Sequence, residues 1–297
     1  MHREVRRPPA HAIGLPQTHR GYREMGHKKG VSASLCELGF VAYEQGDYDR
    51  AVRLHEQSLD LAREFGTTFG IAWSLRALAD AVRGQGDLSR ATTLLEEGLA
   101  LSRSTENAWG RARTLASLGS VACESGEYTR ASRSYEESLK LGQRMGLNHT
   151  ILLCLEGLAR VAVAQGRMER VARLCGTAAA LREDIGWLLQ PAKRAEHDRT
   201  VAAARAVLGE DTFAAACARG HALPLEEAIR DTLGHSVLEI GCYSRQHLRP
   251  EGGCRPISPA PLGILGLELL RRAPTPELLR TPYRRSSQNS SSTHSGE

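Results

Sequence analysis

The chain has 297 residues, of which 41% are hydrophobic but only 5% aromatic, and a formal charge of +5. A core so poor in rings is built from Ala, Leu and Val, which suits closely packed helices better than sheets. The charge excludes a basic nucleic-acid face on the folded part: residues 1–30 carry seven Lys/Arg against two Asp/Glu and residues 236–297 eight against five, whereas residues 31–235 carry 24 against 27.

Residues 1–31 read as a basic, flexible arm. His2, His11, His19 and His27 lie in it without any spacing that would hold a metal. The stretch GYREMGHKKG (21–30) has Gly21 and Gly26 at phosphate-loop spacing, but His27 and Lys28 stand where that loop needs Lys and Ser/Thr, and no apolar strand precedes it. The start lacks the apolar segment of a secretory signal, and no apolar run reaches the roughly 18 residues of a membrane span. The seven Cys show no C-x-x-C spacing. Cys36, Cys123, Cys154 and Cys175 fall inside apolar patterns, as reduced, buried thiols do. A cytoplasmic location is the expectation.

From residue 32 the chain repeats itself. EQGDYDRAV (44–52), GQGDLSRAT (84–92), ESGEYTRAS (124–132) and AQGRMERVA (164–172) place Gly46, Gly86, Gly126 and Gly166 at intervals of 40. Leu35, Leu75, Leu115 and Leu155 form one column in this register. Leu38, Leu78, Leu118 and Leu158 form the next, followed by Gly39, Ala79, Gly119 and Ala159 and by Ala42, Val82, Ala122 and Ala162. The columns are three, one and three residues apart, which is one face of a helix. A second helix carrying Ala51, Ala91, Ala131 and Val171 packs against the Gly/Ala column. The spacing predicts helix pairs near 33–45 with 49–64, 70–84 with 88–103, 109–125 with 129–145, and 149–165 with 168–184. Gly ends each first helix, and Asp47, Asp87 or Glu127 starts the second. Four pairs over residues 32–184 cover one another's apolar faces. Helices near 191–208, 210–220 and 224–234 leave the 40-residue register, as a cap over residues 185–235 would. Residues 236–297, rich in Pro, Arg and Ser, read as a disordered tail, with LGILGLELLRR (262–272) as one short amphipathic stretch.

The order Leu, Gly/Ala, small residue, then Ala on the second helix resembles the tetratricopeptide repeat (TPR). The family's aromatic on the second helix is kept only as Tyr135, with His55, Leu95 and Cys175 in the other copies. A period of 40 rather than about 34 is similar to the long-helix repeats of MalT-type bacterial regulators and LGN-type scaffolds. Residues 175–233 are similar to the segment that closes the repeats of LuxR-type regulators carrying a STAND-type ATPase. The resemblance implies an all-α, right-handed superhelical solenoid of TPR-like pairs with a helical C-terminal cap.

It also implies that the first helices line a concave groove. Carried over, the groove positions include Phe40, Tyr43, Trp73, Arg76, Asp80, Arg83, Arg113, Ser120, Glu156 and Arg160. Arg76, Arg83 and Arg113 suit a carboxylate, and Phe40, Tyr43 and Trp73 an apolar anchor. Alternatively Asp80 pairs with Arg76 and Arg83 on its own helix and the charges merely solvate the face. No H-E-x-x-H, G-x-S-x-G or dinucleotide loop occurs, and Glu96-Glu97 and Glu136-Glu137 lie on solvated second-helix faces. The expectation is therefore a non-enzymatic scaffold for an acidic-hydrophobic protein or peptide, with no cofactor, no metal, and no direct nucleic-acid or membrane contact. The alternative is the ligand-sensing module of a LuxR-type regulator without its ATPase and DNA-binding domains. The oligomeric state is left open.

Overall fold

The computed structural model describes residues 14–189 and 191–237. Among them are twelve helices and no strand. Helix α1 is Leu15–Glu24. The paired helices are α2 (Lys28–Glu44) with α3 (Tyr48–Glu64), α4 (Thr68–Gly84) with α5 (Leu88–Ser104), α6 (Ala108–Glu124) with α7 (Tyr128–Met145), and α8 (Asn148–Ala164) with α9 (Met168–Asp184). Then come α10 (Pro191–Leu208), α11 (Glu210–Ala222) and α12 (Leu225–Val237).

The spacing is finer than 40. Left-handed residues recur every 20 positions, at Gly26, Gly46, Gly66, Gly86, Glu106, Gly126, Gly146, Gly166 and Gly186. Turns within a pair and between pairs share one form: at all of them but the Gly66 turn, the amide after the left-handed residue bonds back to the last turn, as Asp47 N–H does to Ala42 O and Leu147 N–H to Gly142 O. That following residue caps the next helix. Asp47, Asp87 and Asn107 accept from the amides of Arg50, Arg90 and Gly110. Glu127 makes no such side-chain bond.

This beat explains the departure at the N-terminus. Residues 15–24, expected in a flexible arm, form α1, which stands one turn ahead of α2 as a shortened second helix of a preceding unit. Pro16 sits in its first turn, where a missing amide costs nothing. His19 Nδ1 lies 2.9 Å from Ser34 Oγ on α2, and the ring of Tyr22 fills the space where a Cβ on Gly30 would lie. His2, His11, residues 238–297 and the 262–272 stretch lie outside the described residues.

The two sides of the stack are built differently. Consecutive first helices pack on one another, α2 on α4, α4 on α6 and α6 on α8, while consecutive second helices approach far less closely. The stack is therefore narrower on the first-helix side and curves toward it. The wider side is spanned by long side chains. Arg63 reaches Glu97, Arg90 reaches Glu56 and Arg130 reaches Glu96, at 2.6 to 2.8 Å and about half exposed. Such pairs contribute roughly 0–1 kcal/mol each, so they set the spacing of the wider side more than its strength.

Within a pair, the nearest neighbour of the Gly/Ala column is not the Ala51 column but the residue four later. A Cβ on Gly39 would lie 2.4 Å from the His55 ring, and one on Gly119 would lie 2.7 Å from Tyr135. Ala79 and Ala159 occur where that position holds the ringless Leu95 and Cys175. Ring size on the second helix and methyl content on the first are matched copy by copy.

His55 makes the fold acid-sensitive. It is 1% exposed, both ring nitrogens lack partners, and burial followed by the Arg76 charge pushes it down to about 4. The unfolded chain takes up this proton near 6.5 and the folded chain only near 4, so stability is complete above 6.5 and falls as pH drops through that window. Chemical denaturation at pH 5 should show a loss of about 2 kcal/mol relative to pH 7 from this group. Equal midpoints at the two pH values would contradict its buried, neutral state.

Candidate ligand-binding face

The first-helix side carries a cluster of rings and guanidinium groups drawn from four successive first helices. Trp73 of α4 packs edge-on to Phe40 of α2 at 5.9 Å between centroids, and its indole N–H donates to Cys36 Sγ at 2.9 Å. On its other side it stacks on Trp109 of α6 at 5.2 Å with 7° between planes. Phe69 adds a third ring, 5.4 Å from Trp109, and is 58% exposed. Trp73 thus packs between repeats, in a three-ring cluster whose exposed member is Phe69.

Two arginines sit on this stack. Arg76 lies 5.0 Å from the Trp73 centroid and 5.7 Å from Phe40. Arg113 lies 5.2 Å from both Trp73 and Trp109. Each position is attractive for a cation over a ring face. Arg76 is 6% exposed and donates from Nη1 to Asp80 at 2.8 Å, while its Nη2 is buried without a partner. Arg113 is half-buried and forms no hydrogen bond or ion pair with a described residue. Burial, then the neighbouring Arg76 charge, push it down to about 9. His149 of α8 closes this end. Burial, then Arg113 and Arg76, push it down to about 4, and its ring meets Trp187 at 4.5 Å.

The other expected groove residues are engaged. Arg83 donates to Tyr43 Oη at 2.8 Å and pairs with Glu124 of α6, so Asp80 is hydrogen-bonded to Arg76 alone of the two arginines expected to share it. Ser120 donates to Ala116 O and accepts from Tyr135 Oη at 3.0 Å. Arg160 donates to Tyr135 Oη and pairs with Glu196. Glu156 accepts from Arg182 at 2.6 Å. Three arginines were expected to clamp a carboxylate; the geometry leaves Arg76 and Arg113 without a full set of acid partners.

A family model described as MalT-like TPR region matches residues 25–227. The chain belongs to that family. No curated protein matches the sequence. Among solved structures, BtubC (BKLC) from P. vanneervenii is similar in fold, with a TM-score of 0.53 at 16% identity, over 82% of this chain and 96% of that one. The MalT-like TPR assignment makes this a module of the protein-interaction or regulatory kind.

In this MalT-like array the cap does more than cover α9. Helix α10 packs on α8 as well as α9, and it brings Glu196 onto Arg160. Burial alone would raise the Glu196 carboxyl, but Arg160 and Lys193 hold it low. Lys193 is lowered by burial and by Arg83. At the fourth repeat Arg160 is thus answered by a carboxylate of the chain's own cap. Phe69, Trp109 and His149 escaped the sequence reading. They form a 40-residue column of their own, one turn before the groove positions carried over from the family. None of the described residues form a cluster that could hold a metal ion, and none of the described helices is long and apolar enough to cross a membrane.

Proposed function

We propose that this protein is a non-enzymatic scaffold that takes an acidic-hydrophobic peptide of a partner protein along its first-helix face. The observation that supports this most is Arg113, half-buried against two indole rings and within reach of Asp80's charge, yet hydrogen-bonded to no carboxylate among the described residues. A partner carboxylate supplies the missing charge, and apolar side chains cover Phe69 and Trp73. Aromatic and arginine side chains are the types that dominate interface energies. A second reading, the ligand-sensing module of a LuxR-type regulator, is favoured by the family match continuing through α10 and α11.

The test is fluorescence anisotropy with a short labelled peptide of alternating Glu and Leu. The chain binds it, and Arg76→Glu with Arg113→Glu weakens binding about a hundredfold while the circular dichroism stays helical. Arg113→Glu alone separates recognition from any loss of fold at the more buried Arg76. Equal affinity for a peptide of alternating Gln and Leu, or for the Arg113→Glu chain, would overturn the assignment.

A further inference from the structure

We infer that the Arg113–Arg76 end of the face is a site for a small aromatic monocarboxylate, whose ring packs on the Phe69–Trp109–Trp73 cluster and whose carboxylate seats on the Arg113 guanidinium. This rests on the groove reading above and deepens it by giving the site its own ligand class.

Charge is the first part of the argument. Arg76 and Arg113 contribute two positive charges to one small volume, and Asp80, which pairs with Arg76 and also attracts Arg113, supplies a single negative charge between them. Arg83 is answered by Glu124 and Arg160 by Glu196. The cluster is thus one negative charge short, which a carboxylate supplies and a phosphate dianion exceeds. Two like charges held together in a partly desolvated place cost free energy until an anion joins them. The Nη2 of Arg76 lies buried without a hydrogen-bond partner. His149 on the facing helix is held neutral at ordinary pH by burial and by these two arginines, so it supplies no further charge and is free to donate or accept one hydrogen bond.

Shape is the second part. The rings of Phe69, Trp73 and Trp109 lie within 28° of parallel with centroids 5.2, 5.4 and 6.4 Å apart, a three-cornered cluster, and its exposed member is Phe69. A fourth flat ring lying on the exposed Phe69 gains apolar burial and offset stacking together. The guanidinium of Arg113 lies 5.2 Å from two of these rings. An aromatic carboxylate carries both features this cluster lacks; a free acetate ion has the charge without the ring, and an aromatic amide has the ring without the charge.

Two of the three Trp lie in the stack and the third against His149, so intrinsic fluorescence of the full chain reads the site. Titration is made with phenylacetate, phenylacetamide, acetate and phenyl phosphate. Phenylacetate changes the fluorescence saturably, and phenylacetamide and acetate do not. Phenyl phosphate binds more weakly than phenylacetate. Arg113→Gln lowers phenylacetate affinity about tenfold or more, and Arg113→Lys, which keeps the charge but not the planar fork, lies between. Equal response to phenylacetamide, tighter binding of phenyl phosphate, or unchanged affinity in Arg113→Gln with its helicity intact would overturn the site. If Arg113→Gln loses its helicity, Arg113→Lys and Trp109→Leu carry the test, and wild-type affinity in both overturns it. The Glu-Leu peptide is measured on the same samples. Arg113-dependent peptide binding without a phenylacetate response sinks the aromatic-acid site and leaves the scaffold reading standing; a phenylacetate response without peptide binding does the reverse.

Discussion

Replacing Gly220 with alanine is expected to lift α11 off α9 and cost about 3 kcal/mol or more, the upper end for overpacking a close contact. At this crossing the two backbones touch. A Cβ on Gly220 would lie 2.0 Å from the carbonyl oxygen of Arg173, and one on Gly176 would lie 2.0 Å from that of Cys217. Neither obstacle is a side chain that can rotate away. Thr177 also donates to the Gly220 carbonyl at 3.0 Å, and this bond is lost as the helices part. Phe213, Ala216 and Ile229 then stop covering Leu174 and Ala178, and the fourth repeat is left with an open apolar face. Urea denaturation measures the loss. Gly234→Ala is the control, because nothing lies within 4 Å of its added Cβ, and a helical Ala is favoured over Gly by about 1 kcal/mol. A Gly220→Ala chain as stable as wild type would show that α11 is not seated on α9 in this way.

The second large effect is a coupling rather than a single loss. Tyr135 is 1% exposed, and its ring lies between Gly119 of α6 and Gly157 of α8, where a Cβ would come within 2.7 and 2.2 Å of it. Gly119→Ala is expected to cost about 2 kcal/mol, and Gly119→Leu more, by forcing the ring out of place. Tyr135→Leu leaves a void and strands the Tyr135 hydroxyl's partners Arg160 and Ser120, at about 3 kcal/mol. The double variant Gly119→Ala with Tyr135→Leu recreates the Ala79–Leu95 pair that the second repeat already uses. It should be more stable than the sum of the two singles by about 1–2 kcal/mol. Strict additivity would mean that the small column and the ring opposite it are not in contact.

Most of the architecture was legible because the solenoid writes its packing as columns. Leucines three and four apart give the helix face, and the 40-residue return of Gly46, Gly86, Gly126 and Gly166 gives the unit. The 20-residue beat was hidden by one residue. Gly66, Gly146 and Gly186 mark the turns between pairs, but Glu106 takes the same left-handed turn without being glycine, so the second series looked broken. Missing that beat also hid α1, which is half a unit standing where the arm was expected. The face was legible in part. Trp73, Arg76 and Arg113 follow from the family's groove positions, whereas Phe69, Trp109 and His149 stand one turn before those positions, at the very start of α4, α6 and α8, where the carried-over pattern assigns no groove residue. That α10 would bring Glu196 onto Arg160 could not be read from periodicity, since the cap leaves the register that made everything else predictable.

The sidedness of the stack is the claim on which the functional proposals stand. Amide hydrogen exchange on the full chain, with and without a saturating peptide of alternating Glu and Leu, measures it most directly. Slowed exchange in residues 68–84 and 108–124 of α4 and α6, with α3, α5 and α7 unchanged, is the predicted result. Slowing confined to α3, α5 and α7, along the Arg63–Glu97 and Arg130–Glu96 bridges, would place the partner on the wrong side and contradict the account.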